Sequence, residues 1–253
     1  MGASALKLAV CGVRHMWIST PPFVDPSRGS QLVSKTLASF QSSVATPATF
    51  APALPPSTLR FAFDISTDPV VPLALVLAFA FFLRVSEYSH TPVTGTRLHV
   101  SDVTPTPRTL RITIRVSKRS TKPTQHERAA TGTRWCPLAL FHAYAKTRRF
   151  NDPESPALQW LDGSPVTSDD VNSLVKRLCR RAATPSPDAY SSHSMRAGGA
   201  VAALVLEKDT AWILREGRWA SVKSLLLYIR TLAEPYARAT LAELLPGIFS
   251  YAW

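Results

Sequence analysis

The chain has 253 residues, of which 45% are hydrophobic, so it is long enough to bury a sizeable core in one large or two small domains. Lysine and arginine number 29 against 17 aspartate and glutamate, which gives a net charge of +12. This balance disfavours an acidic or disordered protein and favours a polyanionic partner, with a basic surface kept only for solubility as the alternative.

The three cysteines, Cys11, Cys136 and Cys179, are far apart and lack the spacing of a metal site or a disulfide framework. We therefore expect free thiols in a reducing compartment and no bound metal. The longest apolar run, residues 70–83, has 14 residues. A transmembrane helix needs roughly 18, so this run predicts a buried core helix and no membrane partner.

The N-terminal residues are predicted to form two short helices, at 6–18 and 31–45, followed by a linker at 46–56. The linker contains four prolines and is a candidate domain boundary.

After the linker, a helix is predicted to begin near Thr67 or Asp68, either of which would cap it, and to continue to Tyr88. Arg84 lies near the end of this apolar helix, so its guanidinium is expected to be largely buried. A buried guanidinium needs a partner, and Glu87, three residues further on, is placed to be one.

Alternating residues predict strands at 96–103 and 109–117, and residues 135–138 form a third candidate strand. In the second strand, apolar residues occupy one face and polar residues the other. If the alternation continues, Lys118 points toward the apolar side and Arg119 points away. An inward lysine at a strand end is unusual, which makes Lys118 a candidate site residue.

The rest of the chain is predicted to be helical, beginning with a helix at 138–149. Four further helices are indicated by N-cap residues: Ser168, Ser191 or Ser192, Asp209 and Ser221. Gly198 and Gly199 would allow close packing of the second of these, and Gly217 would end the third. In the last helix, Tyr228 lies at the flank of an apolar face.

Five short motifs follow one another at defined intervals: Arg84-Val85-Ser86-Glu87, a hairpin lysine, His193-Ser194-Met195-Arg196, Gly217-Arg218-Trp219 and Tyr228. Each is weak alone, but Arg196 and Trp219 are 23 residues apart and Trp219 and Tyr228 are 9 apart. As an ordered set they resemble the tyrosine recombinase (phage integrase) family. The resemblance covers roughly residues 65–232, and the wording around Trp219 is most similar to recombinases of DIRS-like retroelements and cryptons.

The resemblance implies a mainly α-helical fold with a small three-stranded antiparallel β-sheet. It implies a catalytic domain at 57–253, preceded at 1–56 by a partial helical core-binding remnant and linker. Family members usually carry a full helical domain before the catalytic one, whereas only about 60 residues precede it here. We therefore expect a truncated copy or a fragment of a longer element protein.

The resemblance also implies site-specific DNA recombination or integration through a 3′-phosphotyrosyl intermediate, with no cofactor and no metal. The implied catalytic residues are Arg84, Lys118, His193, Arg196, Trp219 and Tyr228. Tyr228 would be the nucleophile and Lys118 the general acid, with Lys122 as the alternative acid. Glu87 would orient Arg84 or a neighbouring residue without touching the DNA itself. Many integrases carry histidine at the position of Trp219, so the likeness is to a subset of the family.

Double-stranded DNA is the implied partner, bound by a homotetramer, whereas the free protein is expected to be a monomer or weak oligomer. The residues expected to meet DNA are Arg115, Arg119, Lys122, Lys176, Arg177 and Arg180. The implied location is the nucleus for a eukaryotic transposon-derived protein, and otherwise the cytoplasm or nucleoid. Two other functions stay open: a non-catalytic DNA-binding module that uses residues 192–230 like a helix-turn-helix, and a type IB topoisomerase.

Overall fold

A computed structural model describes residues 51–117, 121–150, 152–206 and 208–229, without the side chains of residues 205 and 226–229. The described residues belong to one compact unit. The helices predicted at 6–18 and 31–45, most of the predicted linker and everything after residue 229 lie outside the described residues.

Helix α1 (Val70–Ala80) forms the centre of the core, and every one of its residues is buried. The Asp68 carboxylate accepts a hydrogen bond from the Val70 N–H at 2.9 Å, which satisfies one of the free donors at the helix start. Because α1 is apolar on all sides, other elements surround it. The prediction of a buried core helix is confirmed. Among the described residues, none of the helices is both long enough and apolar enough to span a membrane.

Helix α1 ends at Ala80, so the prediction that it continues to Tyr88 was wrong. Phe82 adopts a left-handed conformation with φ 51°, and the N–H of Leu83 bonds back to the carbonyl of Ala78 at 3.0 Å. This is the hydrogen-bond pattern of a helix-ending turn. Arg84 therefore lies before a new short helix, α2 (Val85–Tyr88), and not at the end of α1.

The sheet has three antiparallel strands in the order β1 (Val103–Pro105), β2 (Thr109–Ile114) and β3 (Thr124–Ala129). The predicted fold class, mainly helical with a small three-stranded antiparallel sheet, is confirmed. Three strand bounds were wrong: the strand predicted at 96–103 occupies 103–105, after a 3-10 turn at 100–102, and β2 stops at 114 instead of 117.

The third strand was predicted in the wrong place, because residues 135–138 enter helix α3 (Pro137–Ala145). Pro137 suits the first helical turn, where no amide hydrogen is needed. The real third strand pairs Arg128 with Leu110 and His126 with Ile112, so two polar side chains occupy its buried face. A strand with polar residues on both faces gives no alternation signal.

The remaining helices are α4 (Ser168–Arg181), α5 (Ser192–Val205), α6 (Thr210–Gly217) and α7 (Val222–Ile229). Their predicted N-caps hold with one change, since Thr167 caps α4 in place of Ser168. Short 3-10 turns occupy Pro56–Phe63, Val100–Asp102 and Pro187–Ala189.

Helix α5 packs closely against α1 through Gly198 and Gly199, as predicted. A Cβ on Gly198 would overlap the main chain of Leu54, and one on Gly199 would overlap the main chain of Phe79. This close approach brings the start of α5 beside the turn that ends α1.

Candidate active site

Arg84 and Glu87 form the first part of the site, at the start of α2. The Glu87 side chain turns back so that its Oε2 accepts the backbone N–H of Arg84 at 2.8 Å, while its Oε1 accepts Nη1 of Arg84 at 2.7 Å. Glu87 is buried, whereas the Arg84 side chain keeps 18% of its surface exposed. The predicted pairing of Arg84 with Glu87 is therefore present in the structure.

Arg218 is the second cation on Glu87. Its Nη2 donates to Glu87 Oε2 at 2.7 Å and to the carbonyl of Phe82 at 3.0 Å. Burial by itself would raise the pKa of Glu87, but Arg218 above all, together with the Arg84 N–H and the charges of Arg196 and Arg84, holds that pKa below its usual range. Glu87 is therefore ionised at neutral pH.

Arg196 enters from α5 and is 1% exposed. Its Nη1 donates to the carbonyl of Phe82 and its Nη2 to the carbonyl of Gly217. Its guanidinium carbon lies 4.1 Å from the centroid of the Trp219 ring, a distance suited to a cation–π contact. A Cβ at Gly217 would overlap the indole of Trp219, so glycine is needed for this ring to lie where it does.

A buried polar network lies directly behind these residues. Glu216 Oε2 accepts Nη1 of Arg128 at 2.9 Å and contacts Nδ1 of His126 at 3.1 Å. Burial lowers the pKa of His126, which leaves the imidazole neutral at pH 7. Because a carboxylate only accepts, Nδ1 carries the proton, and Nε2 is the acceptor that faces Nη1 of Arg218 at 3.4 Å.

The charges of the site are unequal. Within the described part of the chain, Glu87 pairs with Arg84 and Arg218 and is also under the charge of Arg196, while Glu216 acts on Arg218 from the network behind. Such a cluster, partly open to solvent at Arg84, is suited to an anion with several oxygens, since planar guanidinium forks match phosphate geometry. The arrangement can stabilise negative charge that develops on a phosphate.

Of the other predicted catalytic residues, the structure describes His193 in full, only the backbone of Tyr228, and not Lys118. His193 lies in the first turn of α5 with an exposed side chain, and its N–H donates to Ser191 Oγ at 3.3 Å. The backbone of Tyr228 lies in α7, which packs against α5 and α6, but its side chain is outside the description. Lys118 and Arg119 also lie outside the described residues, in the connection between β2 and β3.

Solved structures of tyrosine recombinases are similar to the described chain at low sequence identity. The structure of XerA recombinase gives a TM-score of 0.56 at 16% identity, over 77% of this chain and 63% of that one. The structure of XerH site-specific recombinase bound to palindromic difH substrate, a post-cleavage complex, gives 0.55 at 15% identity, over 76% of this chain and 52% of that one. A pre-cleavage XerH complex gives 0.53.

The chain has the fold of a tyrosine recombinase catalytic domain. It spans about half to two thirds of the length of the recombinases just described. No protein-family model matches the sequence, and no curated protein matches it.

On this recombinase fold, the six residues predicted to meet DNA have different surroundings. Arg115 is engaged within the protein, with Nε 2.7 Å from Asp102 and Nη1 2.6 Å from Glu154. The hydrogen bond from Arg115 lowers the pKa of Glu154 to about 2. Lys122 is exposed, and Arg119 lies outside the described residues.

The other three residues predicted to meet DNA lie along α4. Arg177 is exposed and donates to the carbonyl of Ile65, while Arg180 forms an exposed ion pair with Asp188. Lys176 is half-buried and lines an open surface cavity of about 500 Å³ together with Asp188 and Tyr190.

Sequence reasoning missed the roles of four residues that support the recombinase-fold site: His126, Arg128, Glu216 and Arg218. Arg218 belongs to the Gly217-Arg218-Trp219 motif, but the sequence predicted no role for it. The sequence alone gave no signal that Glu87 is buried and accepts a hydrogen bond from Arg218. For His126 and Arg128, which lie on a strand that was not predicted, no local pattern indicated burial.

Proposed function

We propose that the chain breaks and rejoins double-stranded DNA in site-specific recombination or integration, with Tyr228 as the nucleophile. One observation carries the proposal: Arg84 and Arg196 are tied to one buried cluster, beside a tryptophan that precedes Tyr228 by nine residues. The recombinase fold supports it, as do the DNA complexes in which XerH was solved.

In the proposed first step, the Tyr228 hydroxyl loses its proton to solvent and attacks a DNA phosphorus, and the bond to the 5′-oxygen breaks as the phosphotyrosyl bond forms. Lys118 gives a proton to the leaving 5′-oxygen, with Lys122 as the alternative donor. In the second step, a 5′-hydroxyl from another strand gives its proton back to that lysine and attacks the same phosphorus, and Tyr228 leaves and regains a proton from solvent. One phosphodiester-type bond is made for each one broken, so the bond energy is kept.

The arginines act on the transition state of both steps. Negative charge grows on the non-bridging oxygens, and fixed cations stabilise it because they need no reorganisation. Arg84, with part of its guanidinium open to solvent, and Arg196, held against Trp219, are the proposed phosphate ligands. His193 and Trp219 are proposed to add hydrogen-bond donors, since an indole N–H can only donate.

We extend the proposal to the origin and assembly of the protein. The motif of Gly217, Arg218 and Trp219 supports descent from DIRS-like or crypton-like transposable elements, and with it a nuclear location. A homotetramer on DNA is the proposed active assembly. Residues 57–253 are the proposed catalytic domain, and residues 1–56 are proposed to be a helical core-binding segment and linker.

The experiment is covalent trapping on a nicked suicide DNA substrate that loses a short 5′-hydroxyl strand after cleavage. We expect the wild type to form an adduct that denaturing gels resolve, and Tyr228→Phe to form none. An adduct that persists in Tyr228→Phe would refute the proposed nucleophile.

The same assay separates the two alternatives. Specific DNA binding without an adduct, unchanged by Tyr228→Phe, would identify a binding module. Relaxation of supercoiled DNA by the protein alone, without sequence preference, would identify a type IB topoisomerase.

A further inference from the structure

Arg218 occupies a position where a side chain is unusual. It follows the last residue of α6 with φ 56°, in the left-handed region that residues with a Cβ seldom adopt. The N–H of Arg218 bonds to the carbonyl of Arg215 at 3.1 Å, and the N–H of Trp219 bonds to that of Leu214 at 2.9 Å. This is the hydrogen-bonding pattern in which glycine is the common residue.

The left-handed turn sends the Arg218 side chain back into the protein, where only 8% of it is exposed. Its Nη1 donates to the carbonyl of Glu216 at 2.8 Å, which fixes the guanidinium against its own turn. Its Nη2 donates both to Glu87 Oε2 and to the carbonyl of Phe82. The orientation of the guanidinium is therefore set by these three acceptors, with Nε2 of His126 as a longer fourth contact at 3.4 Å.

Two of those acceptors also hold the proposed phosphate ligands. The carboxylate of Glu87 accepts Arg84 on Oε1 and Arg218 on Oε2, and the carbonyl of Phe82 accepts both Arg196 and Arg218. Arg218 thus touches one partner of each phosphate arginine.

We propose that Arg218 is a positioning residue that joins Glu87 to the Phe82 carbonyl and so fixes Arg84 and Arg196 on the same phosphate. This inference rests on the proposed function and assigns a role to a residue that has none in it. Without Arg218, one oxygen of a buried carboxylate loses its cation, and Arg84 and Arg196 lose their common support.

The test uses Arg218→Gly, because glycine suits the left-handed turn and removes the guanidinium without straining the backbone. Arg215→Ala is the matched control: it removes the same charge three residues earlier, from a side chain that is 70% exposed and contacts Glu216 only at 3.6 Å. Single-turnover cleavage at saturating suicide DNA is measured beside the DNA dissociation constant. We expect Arg218→Gly to cleave about 100-fold more slowly, the usual size of a misplaced catalytic group.

DNA affinity should change by less than about threefold in Arg218→Gly, because phosphate contacts along the rest of the duplex dominate the binding of DNA. Added methylguanidinium should restore part of the rate in Arg218→Gly and none in Glu87→Gln, which loses no guanidinium. Arg218→Lys should stay slow because an ammonium lacks the planar fork.

A second measurement does not depend on cleavage. Inorganic phosphate or orthovanadate should raise the melting temperature of the wild type and of Arg215→Ala, and should raise that of Arg218→Gly much less. If the wild type forms no adduct but phosphate separates the variants in this way, the proposed function fails and the role of Arg218 stands.

Three outcomes would overturn the inference. The first is an Arg218→Gly variant that cleaves at the wild-type rate. The second is a variant in which cleavage, DNA binding and stability fall in parallel. The third is a wild type whose melting temperature does not respond to phosphate.

Discussion

The guanidinium of Arg218 donates to the main-chain carbonyl of Phe82 at 3.0 Å, and both residues lie in the left-handed region, at φ 56° and 51°. Each is the residue that turns the chain after a helix, Phe82 after α1 and Arg218 after α6. A non-glycine residue in such a conformation costs about 1–3 kcal/mol, which the surrounding structure must offset. The site is thus built where two strained helix ends meet.

A third left-handed residue gives a direct measure of this strain. Ala183 ends α4 with φ 51°, is exposed, and takes no part in the site. Ala183→Gly should raise the free energy of unfolding by about 0.5–1 kcal/mol, because glycine adopts this conformation without strain. Urea denaturation is the measurement. Phe82→Gly is the contrast: its buried ring packs near Trp212 and Trp219, so a loss of about 3 kcal/mol is expected.

Glu87→Gln removes a buried negative charge that pairs with Arg84 and Arg218 and acts on Arg196. We expect a loss of about 3 kcal/mol in stability, because breaking a buried ion pair leaves buried charge unmatched. Cleavage of the suicide substrate should fall about 100-fold as Arg84 loses its fixed orientation. Thermal unfolding and single-turnover assays check the two parts. Glu127→Gln, whose carboxylate is 41% exposed and 3.5 Å from Arg111, is the control and should change little.

The network behind the site predicts a pH dependence of stability. Burial would raise the pKa of Glu216, but the hydrogen bond from His126 and the charge of Arg128 lower it to about 2. A lowered carboxyl pKa stabilises the fold above the unfolded value of about 4.3 and loses this effect as pH falls toward the folded value. The unfolding free energies of wild type and Glu216→Gln should therefore differ by a constant amount near pH 7, where His126 is neutral in the folded protein.

Below about pH 4.3 that difference should shrink, because the unfolded wild type then takes up a proton that the folded protein does not. Urea titrations at closely spaced pH values down to about 2.5 would record it. A difference that stays constant over the whole range would contradict the assignment of Glu216 as a buried, ionised partner of Arg128.

Salt dependence separates the arginines and lysines predicted to meet DNA. Removing one phosphate contact lowers the slope of log affinity against log salt concentration by about 1. We expect this change for Lys122→Ala, whose side chain is exposed. Arg115→Ala should leave the slope nearly unchanged, since Asp102 and Glu154 already contact its guanidinium. Equal slopes for both variants and the wild type would contradict a DNA contact at Lys122.

Local signals predicted the helices well. The caps at Ser191, Asp209 and Ser221 use short-range hydrogen bonds that the sequence itself specifies. The apolar run predicted α1 because no polar residue interrupts it. The pairing of Arg84 with Glu87 followed from their spacing and from the rule that buried charges need partners.

Long-range interactions determined what the sequence could not predict. The residues around Phe82 contain no helix breaker, and the chain turns there where Arg196 and Arg218 bind its carbonyl. Strand β3 was missed because two polar residues, His126 and Arg128, face the core. Their polar groups are hydrogen-bonded there by Glu216, which comes from a helix distant in sequence. In both cases the deciding partner lies about 85 residues or more away in sequence.

The acceptor shared by Arg196 and Arg218 belongs to the main chain at Phe82, and this has a consequence for sequence variation. No substitution at position 82 other than one that moves the backbone can delete that oxygen. The side chain at position 82 can therefore vary wherever the surrounding packing adapts. The carbonyl acceptor is kept as long as the backbone makes the same turn. Related proteins could then retain the geometry of the arginine cluster with no recognisable residue at this position, which a search for shared side chains would overlook.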